Sequence, residues 1–377
     1  MKSERPGRRR AAEFSPRPGT AARAFWGNLP ARAGGAALIL LIPVIVMALT
    51  ALFLSRDPAR TLAYFFFGPL RDRYSFGNML NGAVPLIFGG LGVSAAMRGG
   101  NLNLGGEGQI YAGAFVTAIA AHALTPFGAA GAILALLAGT AFAGAAAGFS
   151  GFLKEKWNAN ELITTFLVSN ALIMFTNYGV TGPFLDPQAN LQSTRKIAES
   201  WRLPRILPPS NLSAALFFAL AAAVLIYLFL FRTRRGYEIR LCGINPWFAR
   251  YGGINTGGAA ILSMSVSGAL YGLGGGLAVY GTYYAAIKEF SAGMGWNGLA
   301  AALLAQSNPV AVIPAAVFFA WIGAGARTAM QFSDVTVEIA SIVQSAVFFL
   351  VSSAVLRNLF TAKDTARRRE PPRGEVP

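Results

Sequence analysis

Leu216–Asn255 reads LFFALAAAVLIYLFLFRTRRGYEIRLCGINPWFARYGGIN, and the fold turns on it. Leu216–Phe231 is an apolar run without charge, glycine or proline, as a membrane span requires. Arg232, Arg234 and Arg235 follow at once as a basic cluster. Gly243 then breaks the pattern, Asn245-Pro246 signals a turn, a short helical pattern starts at Trp247, and Gly252-Gly253 ends it. A loop that only joined two spans would not need a helix bounded by glycine and proline. A short helix held against the basic face of a membrane protein is a handle for a soluble partner. That suggests a transporter moved from outside itself.

Composition supports the membrane premise. The chain has 377 residues, 54% hydrophobic and only 13% charged, with mean hydropathy +0.48. Soluble domains carry roughly 25% charged residues. A net charge of +16 would point to nucleic acid in a soluble protein. Here the basic residues sit in tails and short loops beside apolar runs, the positive-inside pattern, so no nucleic-acid partner is expected. Cys242 is alone and His122 is the only histidine, which argues against a disulfide, a metal centre or a His-based triad. No P-loop occurs, so any nucleotide that drives the chain is bound by another subunit, and no cofactor is expected on this one. No acid, base and nucleophile converge, so no enzyme is expected.

The apolar runs imply an all-α polytopic protein of about ten spans, near 35–54, 80–98, 108–125, 128–152, 161–180, 213–231, 259–280, 292–306, 310–329 and 336–357. A re-entrant hairpin at 292–306 and 310–329 would lower the count to eight or nine. Residues 1–34 read as a disordered basic tail, 35–357 as the membrane domain and 358–377 as a second tail. An even count puts both termini, Lys154-Glu155-Lys156 and the loop 232–258 in the cytoplasm, with 181–212 as the largest external loop. A loose repeat joins Val84–Val116 to Met264–Leu304, each with glycine-rich interruptions, the latter at Gly272–Gly276 and Gly293–Asn297. Paired broken helices point to a pathway between repeats.

Asn101-Leu102-Asn103-Leu104-Gly105-Gly106-Glu107-Gly108-Gln109 interrupts two apolar runs. A plain turn explains the asparagines and glycines. A carboxylate facing lipid, however, would cost about 2.5–3.5 kcal/mol, and irregular backbone at depth belongs beside protein or a wet cavity. Asn101, Asn103, Glu107 and Gln109 are therefore the candidate substrate pathway or gate. Asn160-Glu161 is good helix-start chemistry. Asn170 and Asn177, seven apart, are expected to face the bundle, and Arg327, Asp334 and Glu338 to form a turn with one charge pair. A secondary transporter driven by an ion gradient is the rival reading. It would need carboxylates inside the bundle, and only Glu107 offers one.

In order, the chain carries Asn103–Gln109, then Asn160-Glu161-Leu162-Ile163-Thr164-Thr165, then Gly236-Tyr237-Glu238 through Gly253-Ile254-Asn255. This set resembles the permease subunits of ABC importers for simple sugars and nucleosides, a family related to the branched-chain amino acid permeases. The likeness spans about residues 35–357 and is greatest to nucleoside-type permeases that work with basic-membrane-protein-like lipoproteins. Leu102 stands where the family commonly has Phe, and Trp247-Phe248 where it has an acidic residue and Ala. The resemblance implies a cytoplasmic (inner) membrane location and a second permease chain, the same or similar. It also implies cytoplasmic ABC ATPase subunits that bind ATP and an extracytoplasmic substrate-binding lipoprotein. It implies a small polar solute, a nucleoside or simple sugar. Arg240, Gly243, Asn245, Pro246, Ala249, Arg250 and Gly253 would then couple the loop to the ATPase.

Overall fold

The computed structural model describes residues 45–53, 55–336, 338–339, 341–346 and 348–349. The expected tails 1–34 and 358–377, and parts of the expected first and last spans, lie outside them. The described residues form helices α1 (45–53), α2 (Pro58–Phe67), α3 (Arg73–Arg98), α4 (Gly106–Ala123), α5 (Gly128–Trp157) and α6 (Glu161–Thr181). Helices α7 (Ala215–Arg232), α8 (Arg234–Ile244), α9 (Pro246–Tyr251), α10 (Thr256–Ala278), α11 (Met294–Leu304) and α12 (Pro309–Phe332) follow. A π-helical turn, Val279–Tyr283, closes α10.

Burial sorts the helices into centre and rim. Of its most apolar stretch, α3 has 83% of residues inside the protein, whereas α6 and α7 have 28% each. The rim helices turn Leu, Ile and Phe outward, among them Ile163, Leu167, Phe217 and Leu225, as a lipid-facing surface demands. Helix α4 packs between α5, α10, α6 and α11. Protein around the helix buries Gln109 and half-buries Glu107, whereas His122 is exposed at the helix's far end.

Six helices among the described residues are long and apolar enough to cross a membrane. They are α3, α5 with its leading turn, α6, α7, α10 with its π turn, and α12. The expected span 292–306 is instead α11, only 11 residues. That is roughly 16 Å, about half the hydrocarbon thickness. The expected interruption at Gly272–Gly276 is also corrected, because it lies inside continuous helix α10. Its glycines let α10 approach α4 and α5 closely. The real break in this half is the non-helical stretch 284–293.

Arg98, Lys154, Arg232 and the elbow α8–α9 share one end of the bundle, called here the basic face. At the opposite face, loop 181–212 is tied to the chain after α10. The Thr194 amide donates to Ala286 O at 3.0 Å and the Ile197 amide to Tyr284 O at 2.8 Å. His122 Nε2 sits 3.0 Å from Arg195 O there. Asp334 accepts from Ser55 Oγ at 2.6 Å and from the Arg56 amide at 2.7 Å. The charge pair expected with Arg327 is therefore absent among the described residues.

Candidate functional site

The break after α3 climbs into the bundle along α10. Asn101 Nδ2 donates to Ser263 Oγ at 2.9 Å, and Asn103 Nδ2 to Ser267 Oγ at 3.0 Å. Two residues of extended chain advance about 6.6 Å and four residues of helix about 6 Å, so Asn-x-Asn matches Ser-x-x-x-Ser. From the other side, α6 offers the same helical spacing. The Leu104 amide donates to Thr165 Oγ1 at 3.2 Å, and the Gly108 amide to Ser169 Oγ at 2.9 Å. Asn103 makes every bond its amide can: donating to Ser267 and Gln109 Oε1, and accepting from the Gly105 amide and Gln109 Nε2. Lys154 Nζ joins the network at the basic face, donating to Asn101 Oδ1 at 2.7 Å and pairing with Glu161 at 2.8 Å. Asn101, Asn103 and Gln109 are buried.

Glu107 does something different. Its Oε1 accepts from the Gly293 amide and its Oε2 from the Gly295 amide, both at 2.9 Å. Those amides open α11, while Glu107 itself stands in the first turn of α4. One carboxylate thus serves two helix N-termini, where the backbone leaves donors unpaired and positive charge gathers. A Cβ on Gly295 would collide with the Glu107 amide nitrogen, so the approach depends on glycine there. One turn further along α4, the Tyr111 hydroxyl donates to Asn177 Oδ1 at 2.8 Å and accepts from the Glu289 amide at 3.1 Å. The two breaks, 99–105 and 284–293, therefore meet at Glu107. Asn177 faces the bundle as expected; Asn170 is exposed and bonds its own helix at Phe166 O.

The basic face carries the second arrangement. Thr233, Asn245 and Asn255 cap α8, α9 and α10 in turn, each side-chain oxygen accepting an amide hydrogen from three residues on. Arg240 Nε donates to Leu230 O at 2.8 Å, and its guanidinium stands 4.7 Å from the Phe231 ring centre, locking α8 to α7. Gly243 lies against the end of α3, where a Cβ would collide with Arg98 O. Ala249 is fully buried with Leu230, Ile239, Cys242 and Ala259. Gly253 turns the chain at φ +77°, and the Gly253 amide donates to Arg250 O. Arg240, Gly243, Asn245, Pro246, Ala249 and Gly253 thus shape and anchor the elbow, whereas Arg250 is exposed. Sequence reasoning missed what the elbow presents: Ile244 is 82% exposed, Trp247 71%, Phe248 61% and Tyr251 92%. Four large apolar side chains around a six-residue helix are a signal that could have found it. The hydroxyls Thr165, Ser169, Ser263 and Ser267 were missed too; only their paired spacing on two apolar helices marks them.

Burial pushes the Cys242 thiol upward from its ordinary range, and Glu238 nearby adds to the shift. It is a packed side chain beneath the elbow.

A membrane bundle with a short helix on its basic face and broken helices meeting inside defines a transport protein. Residues 75–352 match the model of the family described as branched-chain amino acid transport system / permease component, and the chain belongs to that family. It is an ABC importer permease of the simple sugar and nucleoside type. The probable riboflavin import permease protein RfuC of Treponema pallidum is 33% identical over 84% of this chain and 84% of its own length. The guanosine ABC transporter permease protein NupP of Bacillus subtilis is 31% identical over 76% and 83%. The glucose ABC transporter permease protein TsgB13 of Haloferax volcanii is 28% identical over 85% and 87%. No solved structure matches the chain.

Proposed function

We propose that the chain forms one side of the transmembrane pathway of an ATP-driven importer for a small polar solute of the nucleoside or simple-sugar class. A pair of permease chains, the same or similar, would enclose the pathway. Cytoplasmic ABC ATPase subunits would bind and hydrolyse ATP against α9, and an extracytoplasmic lipoprotein would deliver solute to the opposite face. The basic face would be cytoplasmic: Lys154, Lys156, Arg232, Arg234, Arg235 and Arg250 gather there, and positive charge stays inside. The observation that carries the reading is the elbow, with aromatics exposed on a helix that Ala249 and two asparagine caps hold rigid. The gradient-driven alternative loses ground because Glu107, its one candidate ion carrier, commits both oxygens to α11.

The candidate pathway of Asn101, Asn103, Glu107 and Gln109 takes a narrower form. Three of the four support the broken chain from within, and Glu107 sets the position of α11. Mild-detergent purification of the tagged chain from its native membrane, followed by mass spectrometry and an uptake assay, tests the function. A co-purifying P-loop ATPase and uptake that needs ATP are expected. A chain recovered alone, with uptake driven by an ion gradient, would overturn the reading.

A further inference from the structure

Beside the Glu107 clamp, α11 borders a cavity of about 310 Å³. Trp296 and Asn297 of α11 line it, with Ser341, Gln344, Ser345 and Phe348 across from them. That volume is at the small end of ligand sites, which run from about 300 to 1,000 Å³. Among the described residues, every polar side chain on its wall is uncharged. The α11 N-terminus beside it is already answered by Glu107, so no unmatched positive field remains for an anion.

Asn297 and Asn103 make an instructive pair. Asn103 satisfies its whole amide, whereas the Asn297 side chain makes no hydrogen bond among the described residues. Across the cavity, Gln344 Nε2 makes one long bond of 3.4 Å to Phe319 O. Amides without partners inside a membrane protein are costly unless water or a ligand meets them. Trp296 lines the same cavity with 43% of its surface open.

We propose that this cavity is the solute-binding station on this chain's side of the pathway. It takes an uncharged nitrogen heterocycle carrying hydroxyl groups, and it rests on the import reading above. The ring stacks on Trp296, a contact of about 1–3 kcal/mol for a nucleobase on an aromatic side chain. Asn297 and Gln344 pair with the heterocycle's donor–acceptor edge, as such amides do with bases. Ser341 and Ser345 meet the hydroxyls. Riboflavin and guanosine, the named solutes of two relatives, have this form, and glucose does not.

The test uses membrane vesicles holding the complete transporter, supplied with ATP and with labelled guanosine, riboflavin or glucose at saturating binding protein. The parent is expected to take up guanosine or riboflavin, and excess glucose is expected not to compete. Trp296→Ala is expected to slow that uptake about tenfold, the worth of one stacked ring. Basal ATP hydrolysis and capture by the binding protein should hold, and Trp296→Phe should restore most of the rate. Asn297→Leu, a second route to the same loss, covers a Trp296→Ala chain that fails to assemble. Unchanged uptake in both variants overturns the cavity while leaving import standing. Uptake of glucose alone overturns the solute class. No ATP-dependent uptake of any probe by the parent overturns both readings together.

Discussion

The break at 99–107 and the elbow α8–α9 are opposites. The break puts polar groups in an apolar interior and satisfies them: Asn103 makes four bonds, and Glu107 caps α11 with both oxygens. The elbow puts apolar groups at a polar surface and leaves Trp247, Phe248 and Tyr251 uncovered. Satisfied polar groups inside fix a shape. Uncovered aromatics outside are, on the proposed function, a surface for the ATPase. The difference would then separate what holds this protein together from what makes it work with others. Substitutions in the break should therefore act on folding, and those on the elbow's outer face on association.

The largest effect is expected at Glu107. Glu107→Ala leaves two helix-opening amides unmet, a loss of roughly 4 kcal/mol when charge-assisted bonds are worth about 1.5–3 each. Heat inactivation in detergent should move to clearly lower temperature and uptake should collapse. Glu107→Gln is expected to be nearly as harmful, because its NH₂ would face an amide hydrogen. A Gln variant with parental stability would show that the charge does not hold α11.

Next comes Gly243→Val, whose added carbons meet the Arg98 carbonyl. Overpacking of this kind costs about 1–3 kcal/mol. The spans should still insert, while α8 lifts from α3 and uptake falls. Normal uptake would show that the elbow need not dock there.

A smaller, chemical effect sharpens the same point. The Cys242 thiol is 7% exposed and its pKa is raised, first by burial. A raised pKa means less thiolate at any pH below it, so alkylation at pH 8 should run at least about tenfold slower than for an open cysteine. The rate should rise towards the open value in Gly243→Val. Fast labelling of the parent would mean that the elbow is loose.

Much of this was legible in the sequence because some signals are local. Asn245-Pro246 and Gly252-Gly253 bound α9 to within a residue, since caps and breakers act on their own backbone. The long apolar runs became helices for the same reason. What stayed hidden depended on neighbours. Ser263 and Ser267 are ordinary hydroxyls until Asn101 and Asn103 lie alongside. Residues 292–306 look like a span until Glu107 fixes where α11 begins. Gly272–Gly276 looks like a break, yet its glycines serve helix contact. Asn297 and Gln344 lie far apart in the chain, and nothing local marks them as facing pages of one cavity.

The most direct test replaces Trp247 and Phe248 with serine together, in the transporter purified with its partners. Both side chains are exposed, so the variant chain should insert and resist heat like the parent. The account predicts that the ATPase subunits no longer stay bound and that ATP-dependent uptake falls by at least about tenfold, as loss of central aromatic anchors would. Bound ATPase and parental uptake in that variant would contradict the claim that this elbow is where the chain is driven.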